Sequence, residues 1–505
     1  MVSLNQALSI SLLRKSHTMK IKTSSVLVRV LSCALLFSIY LNPHTTLASK
    51  KDAAHEPVDL KWWKSLDQEW QNIFLRALEL SDTTDITPHL EKIGKITSLN
   101  CMKSKISTLE PLLKIDSLEK LNLMGSTIED ISILGKIKTL NNVNCTFSKV
   151  SRKHLDAFRA KHKDITLYPA LYKDWWEELD EPWKNVFRAS AKFKEDPNQI
   201  DLNRIYGMGR LICTGNGINE FELTHLEPVS HLKNLRILYI TNSNVESLEP
   251  IRSLTKLKVL HCASTKISSL EPITNLIELQ ELDCSYTEIE SIEPINKMLE
   301  MKRLSLYETK ISSLEPIKEF KLLKELYISD TKIEDISMLS EFTELEKLHC
   351  GNTQVKSIDA LKNLKKLNEL KVYGTPLSDL APISNAHFLR ILSISSTKVS
   401  SVKEIAKLER IKDLNIGSTE ISDILPLQNM KYLETLDISD TKVTDLSPLN
   451  EKFRLKSLWM AFTDVASLKQ LERLRKLEYV DCSDTKVEEK EITQFKLRNP
   501  NCEFN

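Results

Sequence analysis

Leu323-Lys-Glu-Leu326-Tyr-Ile328-Ser-Asp-Thr331-Lys-Ile333-Glu-Asp-Ile336-Ser-Met-Leu339 is followed 22 residues on by Leu345-Glu-Lys-Leu348-His-Cys350-Gly-Asn-Thr353-Gln-Val355-Lys-Ser-Ile358-Asp-Ala-Leu361. The same spacing links Ser243, Thr265, Thr287, Thr309, Thr331, Thr353, Thr375, Thr397, Thr419, Thr441, Thr463 and Thr485 without an insertion. A fixed period of this length marks a solenoid, in which no unit can bury its apolar face alone. Leu326-x-Ile328 alternates with period two, as a strand with one buried face does. The anchors after the threonine are spaced by two, three and three residues, which suits a turn and a short 3-10 or irregular return segment. Pro250, Pro272, Pro294, Pro316, Pro382, Pro426 and Pro448 recur in that return segment and keep it short, because proline has no amide to donate.

The pattern Leu-x-x-Leu-x-Leu-x-x-Thr-x-Ile-x-x-Leu-x-Pro-Leu resembles the 22-residue leucine-rich repeat of bacterial internalins and related exported proteins. The resemblance implies an α/β repeat fold: a right-handed leucine-rich-repeat solenoid with a parallel β-sheet on its concave side. One column departs from the family, which carries Asn where this chain carries Thr. Asn side chains ladder neighbouring loops. A threonine hydroxyl both donates and accepts, so a shorter ladder between turns is expected here. Ser104, Ser126, Ser148 and Asn216 fill the column in the less regular units.

Exposed apolar ends of a solenoid need caps, and two sets are legible. Trp62-Trp63-Lys-Ser-Leu66-Asp67-Gln-Glu-Trp70-Gln-Asn72-Ile73-Phe74 recurs as Trp175-Trp176-Glu-Glu-Leu179-Asp180-Glu-Pro-Trp183-Lys-Asn185-Val186-Phe187. Trp70, Ile73, Phe74 and Ala77 share one helical face, with Asp67 and Asp180 as N-caps and Pro182 in a first turn. The exit ends match too: Val150, Leu155, Phe158, Ile165 and Leu167 align with Val487, Ile492, Phe495, Cys502 and Phe504. The expected organisation is a signal peptide over 1–48, a linker over 49–60, a capped three-repeat array over 61–169 and a capped long array over 170–505. Gly207-Met-Gly209 and Gly215-Asn-Gly217 read as turns of the long array's irregular first repeat.

Lys20, Lys22 and Arg29 precede an apolar run from Val30 to Leu41, and Thr46-Leu47-Ala48 suits signal cleavage, with Met19 the better start. The run is too short to span a bilayer, which takes about 20 residues. A secreted, cell-surface or periplasmic destination follows. Without residues 1–48 the chain holds 65 basic and 69 acidic residues, so no basic footprint marks a nucleic-acid partner. Cys101, Cys145, Cys213, Cys262, Cys284, Cys350 and Cys482 share one slot with Leu, Ile and Val and read as core thiols. Cys502 is the only partner left for a Cys482 disulfide.

Catalysis finds no home in this pattern. Phosphate-loop, dinucleotide, His-Glu-x-x-His and Cys-x-x-Cys signatures are all missing, so no catalytic residue, cofactor or metal site is expected. His261 and His349 lie four rungs apart, about 19 Å, too far to share a metal, and Asp283 is at best a weak partner for His261. What remains is a surface. Two outward rows, two and four residues before the threonine column, hold Tyr307, Tyr327, His349, Lys371 and Tyr373, which with Tyr286 beside them are expected to form one patch. Trp459 and Phe462, with Tyr479, form a second near the C-terminal end. Tyr and Trp are enriched at binding hot spots. The expectation is a non-catalytic module that binds a protein, in adhesion or host interaction by family analogy. An intracellular scaffold of the phosphatase-regulator kind, an enzyme, and self-association through the sheet are the alternatives.

Overall fold

The computed structural model describes residues 58–82, 85–213 and 222–505. The expected signal peptide, linker residues 49–57, Asn216 and the Gly215–Gly217 turn lie outside them. The described chain divides into two compact units, one running to Ile96 with Glu110–Ser117, the other comprising Thr97–Leu109 and Leu118–Asn505.

Each repeat lays down a three-residue strand, a turn and a 3-10 segment. Strand Glu325–Tyr327 pairs in parallel with Arg303–Ser305 and Lys347–His349, setting Leu326 beside Leu304 and Leu348. Among the described residues the strands form a four-stranded and a fourteen-stranded sheet, each in sequence order. The middle residue of each three-residue strand is buried, and those of the long sheet feed one continuous core from Leu171 to Phe495. The return segments are 3-10 turns such as Glu315–Ile317, with Pro316 at a position whose amide would have no helical partner anyway. The preceding polar residue caps them: Ser313 Oγ accepts from the Glu315 amide at 3.2 Å, and Asp335 Oδ1 from Ser337 at 2.7 Å.

The threonine column does not ladder between turns. Thr331 Oγ1 donates to the Ile328 carbonyl of its own turn at 2.7 Å, and Thr353 to Cys350 likewise at 2.7 Å. A hydroxyl on Cβ reaches only the local carbonyl, where an amide one atom longer could reach further. Backbone amides make the ladder instead: Asp330 N donates to Gly351 O at 2.9 Å, and Asn352 N to Tyr373 O at 2.7 Å. Those amides belong to the residue before each threonine, which is left-handed, as at Asp330 (φ 58°), Tyr286 (55°) and Phe462 (56°).

Within the first unit, helices Leu60–Ser65 and Gln68–Ala77 are capped by Asp59 and Asp67, which accept the Trp62 and Trp70 amides at 2.7 and 2.8 Å. Trp70, Ile73 and Phe74 are buried as expected. Ala77 is exposed, and Leu75 is buried instead, because the helix ends there. Within the second unit, Asp180 caps Glu181–Ala191 through the Trp183 amide at 3.0 Å, with Pro182 in the first turn. A further helix, Gln199–Tyr206, carries an Asn198–Asp201 capping box. Gly207, expected in a turn of the first repeat, is that helix's C-cap. The exit helices Arg152–Lys161 and Glu489–Arg498 are followed by strands Thr166–Tyr168 and Glu503–Phe504, which complete the two sheets. Arg152 bonds Asp174 at 2.7 Å and Arg159 bonds the Pro169 carbonyl at 2.6 Å, tying one exit helix to the next cap.

Candidate binding face

Alternation along each strand of the long sheet leaves three outward rows, six, four and two residues before the threonine. The first was missed in the sequence, although the same alternation carried two residues further back reveals it. It reads Glu281, Arg303, Glu325, Lys347 and Glu369 on consecutive rungs. These side chains zip together. Arg303 bridges Glu281 and Glu325 at 2.9 and 2.8 Å, and Lys347 reaches Glu325 at 3.3 Å.

The expected central patch is drawn into this network. Tyr327 donates its hydroxyl to Glu325 at 2.8 Å and packs edge-on against His349, with ring centroids 4.7 Å apart. His349 and Lys371 both reach Glu369, at 2.8 and 3.2 Å. Burial holds His349 below the usual histidine range, with Glu369 opposing. Burial, helped by the bond to Glu325, raises the Tyr327 phenol. These three residues are structural members of the face, with much of their polar capacity spent within the sheet. His261 turns to Glu281 at 2.6 Å and stacks on Tyr239 at 4.2 Å, so Glu281 takes the place expected of Asp283.

The other expected residues are less engaged. Tyr286 sits off the strand, at a left-handed turn position, half exposed and packed on Tyr307 at 5.0 Å. Tyr373 lies over Gly351, where an added Cβ would come 2.5 Å from the ring. Trp459 leans on Tyr479 at 5.5 Å, and Phe462 is 63% exposed at its own left-handed position. Between Tyr373 and Trp459 runs a trough of about 650 Å³ with a floor of small polar residues that includes Ser393, Ser395 and Asn415. The central and C-terminal aromatic groups, read from the sequence as separate, are therefore its two ends.

Among the described residues no three His, Cys, Asp or Glu side chains are placed to hold a metal ion. The core cysteines and Cys502 are free thiols, so Cys482 and Cys502 form no disulfide. Burial pushes Cys145 and Cys350 up to about 12, far from thiolate chemistry. No described helix is long and apolar enough to cross a membrane.

A family model, Leucine Rich repeats (2 copies), matches residues 255–297 and 343–385. The fold is a leucine-rich-repeat solenoid. Among solved structures, an internalin (InlF) from Listeria monocytogenes is 22% identical with a TM-score of 0.57, covering 64% of this chain and 94% of that one. The functional domain of InlJ from Listeria monocytogenes, which includes a cysteine ladder, is 17% identical with a TM-score of 0.54, covering 66% of this chain and 69% of that one. At these identities the likeness is one of fold. No curated protein matches the chain.

Proposed function

We propose that this leucine-rich-repeat protein is an exported, non-catalytic module that docks a protein partner on the outward face of its long sheet. The trough between Tyr373 and Trp459 carries this reading. It is open, walled by aromatic rings and floored by short side chains that leave room for a partner. The aromatic residues Tyr286 and Phe462 support it, because a bulky residue in the left-handed region strains the backbone without gaining burial. The eight residues singled out in the sequence divide by role. Tyr286, Tyr307, Tyr373, Trp459 and Phe462 offer contact surface. Tyr327, His349 and Lys371 stiffen the sheet beside them. The basic and apolar segments before Ser49 support export, and the likeness to internalins favours a surface or host-facing partner.

The test compares capture of surface and extracellular proteins on the wild-type protein and on a Tyr307→Ala, Tyr373→Ala, Trp459→Ala variant. A partner retained by the first and lost by the second is expected. Equal capture by both would refute docking on this face. Sequencing the N-terminus of the natural protein should give a start near Ser49; an intact leader would remove the exported reading.

A further inference from the structure

We infer that the C-terminal half of this face, from Tyr373 to Asp481, takes a cationic side chain, arginine or lysine, from the partner; the inference rests on the docking reading above. The two halves of the sheet face differ in how their charges are satisfied. From Glu281 to Lys371 the glutamates of the first row all meet a cation or a histidine: Glu281 and Glu325 at Arg303, and Glu369 at Lys371. On the outward rows of that half only Asp283 is left to neutral contacts, with the Ser285 amide and hydroxyl at 3.1 and 2.7 Å.

The other half is open. The three outward rows between Ile391 and Ser483 contain Asp413, Asp437 and Asp481 and no Lys, Arg or His. Among the described residues none of the three carries an ion pair. Their contacts are neutral: Asp413 with the Thr435 hydroxyl, Asp437 with the Ser439 amide at 3.0 Å, and Asp481 with the Ser483 amide and hydroxyl at 3.1 and 2.7 Å. The nearby lysines Lys412 and Lys456 are committed to Glu434, at 3.0 and 3.2 Å. Strand register sets Trp459 directly between Asp437 and Asp481. An indole face flanked by two carboxylates suits a guanidinium or ammonium group, which gains from the ring quadrupole and from charge-assisted hydrogen bonds together. The trough leads to that seat from the Tyr373 side, and Phe462 stands exposed beyond it.

The test uses fluorescein-labelled Gly/Ser dodecapeptides differing only at a central arginine, lysine or citrulline, titrated into the full chain and followed by anisotropy. The arginine and lysine peptides should bind at least about tenfold more tightly than the neutral citrulline peptide. Asp437→Asn with Asp481→Asn keeps the carbonyl oxygen that each turn amide uses, and should lower the arginine affinity about tenfold. Trp459→Ala should lower it as well, while Glu300→Gln with Glu341→Gln, outside the three rows, should leave it unchanged. No arginine binding up to ~1 mM, equal binding of citrulline, or equal loss in the Glu300/Glu341 control overturns the assignment. A natural partner lost on Tyr373→Ala with Trp459→Ala but indifferent to the aspartate variants would keep the docking face and sink the cationic seat. Indifference to both variants would sink docking too.

Discussion

Thr331, Lys452 and Phe462 show three ways in which a residue can obey or resist its column. Thr331 satisfies the Ile328 carbonyl inside a closed turn, and its hydroxyl is buried. Thr331→Val keeps the shape and strands that carbonyl, which should cost about 1–3 kcal/mol in chemical denaturation. A loss below a few tenths would show that the hydroxyl is idle. Lys452 sits where other repeats place Met430, Phe342 or Phe320, 1% exposed, with Nζ donating to the Gln428 carbonyl at 2.7 Å. Burial holds its amine below the ordinary lysine value. The unfolded chain therefore binds the proton more tightly, and the folded state is penalised at neutral pH. Lys452→Met should stabilise by about 1–3 kcal/mol at pH 7, and the gain should shrink as pH rises through the lowered folded value and be gone above the unfolded one, ~10.4. A gain independent of pH would place the cause elsewhere. Phe462 holds a left-handed conformation while most of its ring faces solvent. Phe462→Gly should relieve about 1 kcal/mol of strain and weaken partner binding at once. A variant that is less stable instead would show that the ring packs. The period placed all three residues in columns. It did not show where the threonine hydroxyl points or that the column before it is left-handed, because both depend on backbone torsions that neighbouring turns impose.

At the scale of elements, strand, turn and return segment were legible because each leaves a periodic mark: alternation, a threonine, a proline. The helix Gln199–Tyr206 was not, since it occurs once and so has no period to announce it, although Asn198 and Asp201 form a recognisable capping box. Its neighbour Glu181–Ala191 was found through the repeated tryptophan motif. The cap Asp180 is held in a way the sequence does not show. His225 reaches Asp180 at 2.9 Å and Glu227 at 2.7 Å, while Trp183 Nε1 donates to the His225 carbonyl at 3.1 Å. Burial opposes charging His225, but the two carboxylates outweigh it and raise its pKa. A raised folded value means that the clamp stabilises fully below the unfolded pKa, ~6.5, and that its contribution fades as pH rises through the higher folded value. His225→Gln should flatten the fall in melting temperature over that window. An unchanged slope would show that the clamp does not contribute. The candidate site was half legible for a similar reason. Aromatic residues stand out in a list of outward positions, whereas the trough depends on small residues such as Ser395 and Asn415 between the rings.

For the molecule as a whole, the uninterrupted period makes repeats interchangeable in packing but not in charge. Removing Lys398–Thr419 joins Thr397 to Glu420 and closes the stack with every apolar slot in register. Removing Lys332–Thr353 does the same at Thr331 and Gln354. Burial lost is similar in the two cases, and at the usual stability per residue each excision should cost about 1–3 kcal/mol. Their outward faces differ. The second excision deletes Lys347 and brings Glu325 beside Glu369, where like charges directly opposite repel. The first brings Ile391 beside Thr435 and leaves Lys456 on Glu434. Both variants should fold and keep the far-ultraviolet signature of the parent. The Lys332–Thr353 excision should melt lower, and raising the salt from ~0.05 to ~1 M should narrow the gap, because screening shortens from above 10 Å to about 3 Å. Equal melting at low salt would mean that the ion-pair zipper on the sheet contributes nothing to the stack, and that apolar burial alone sets the order of repeats.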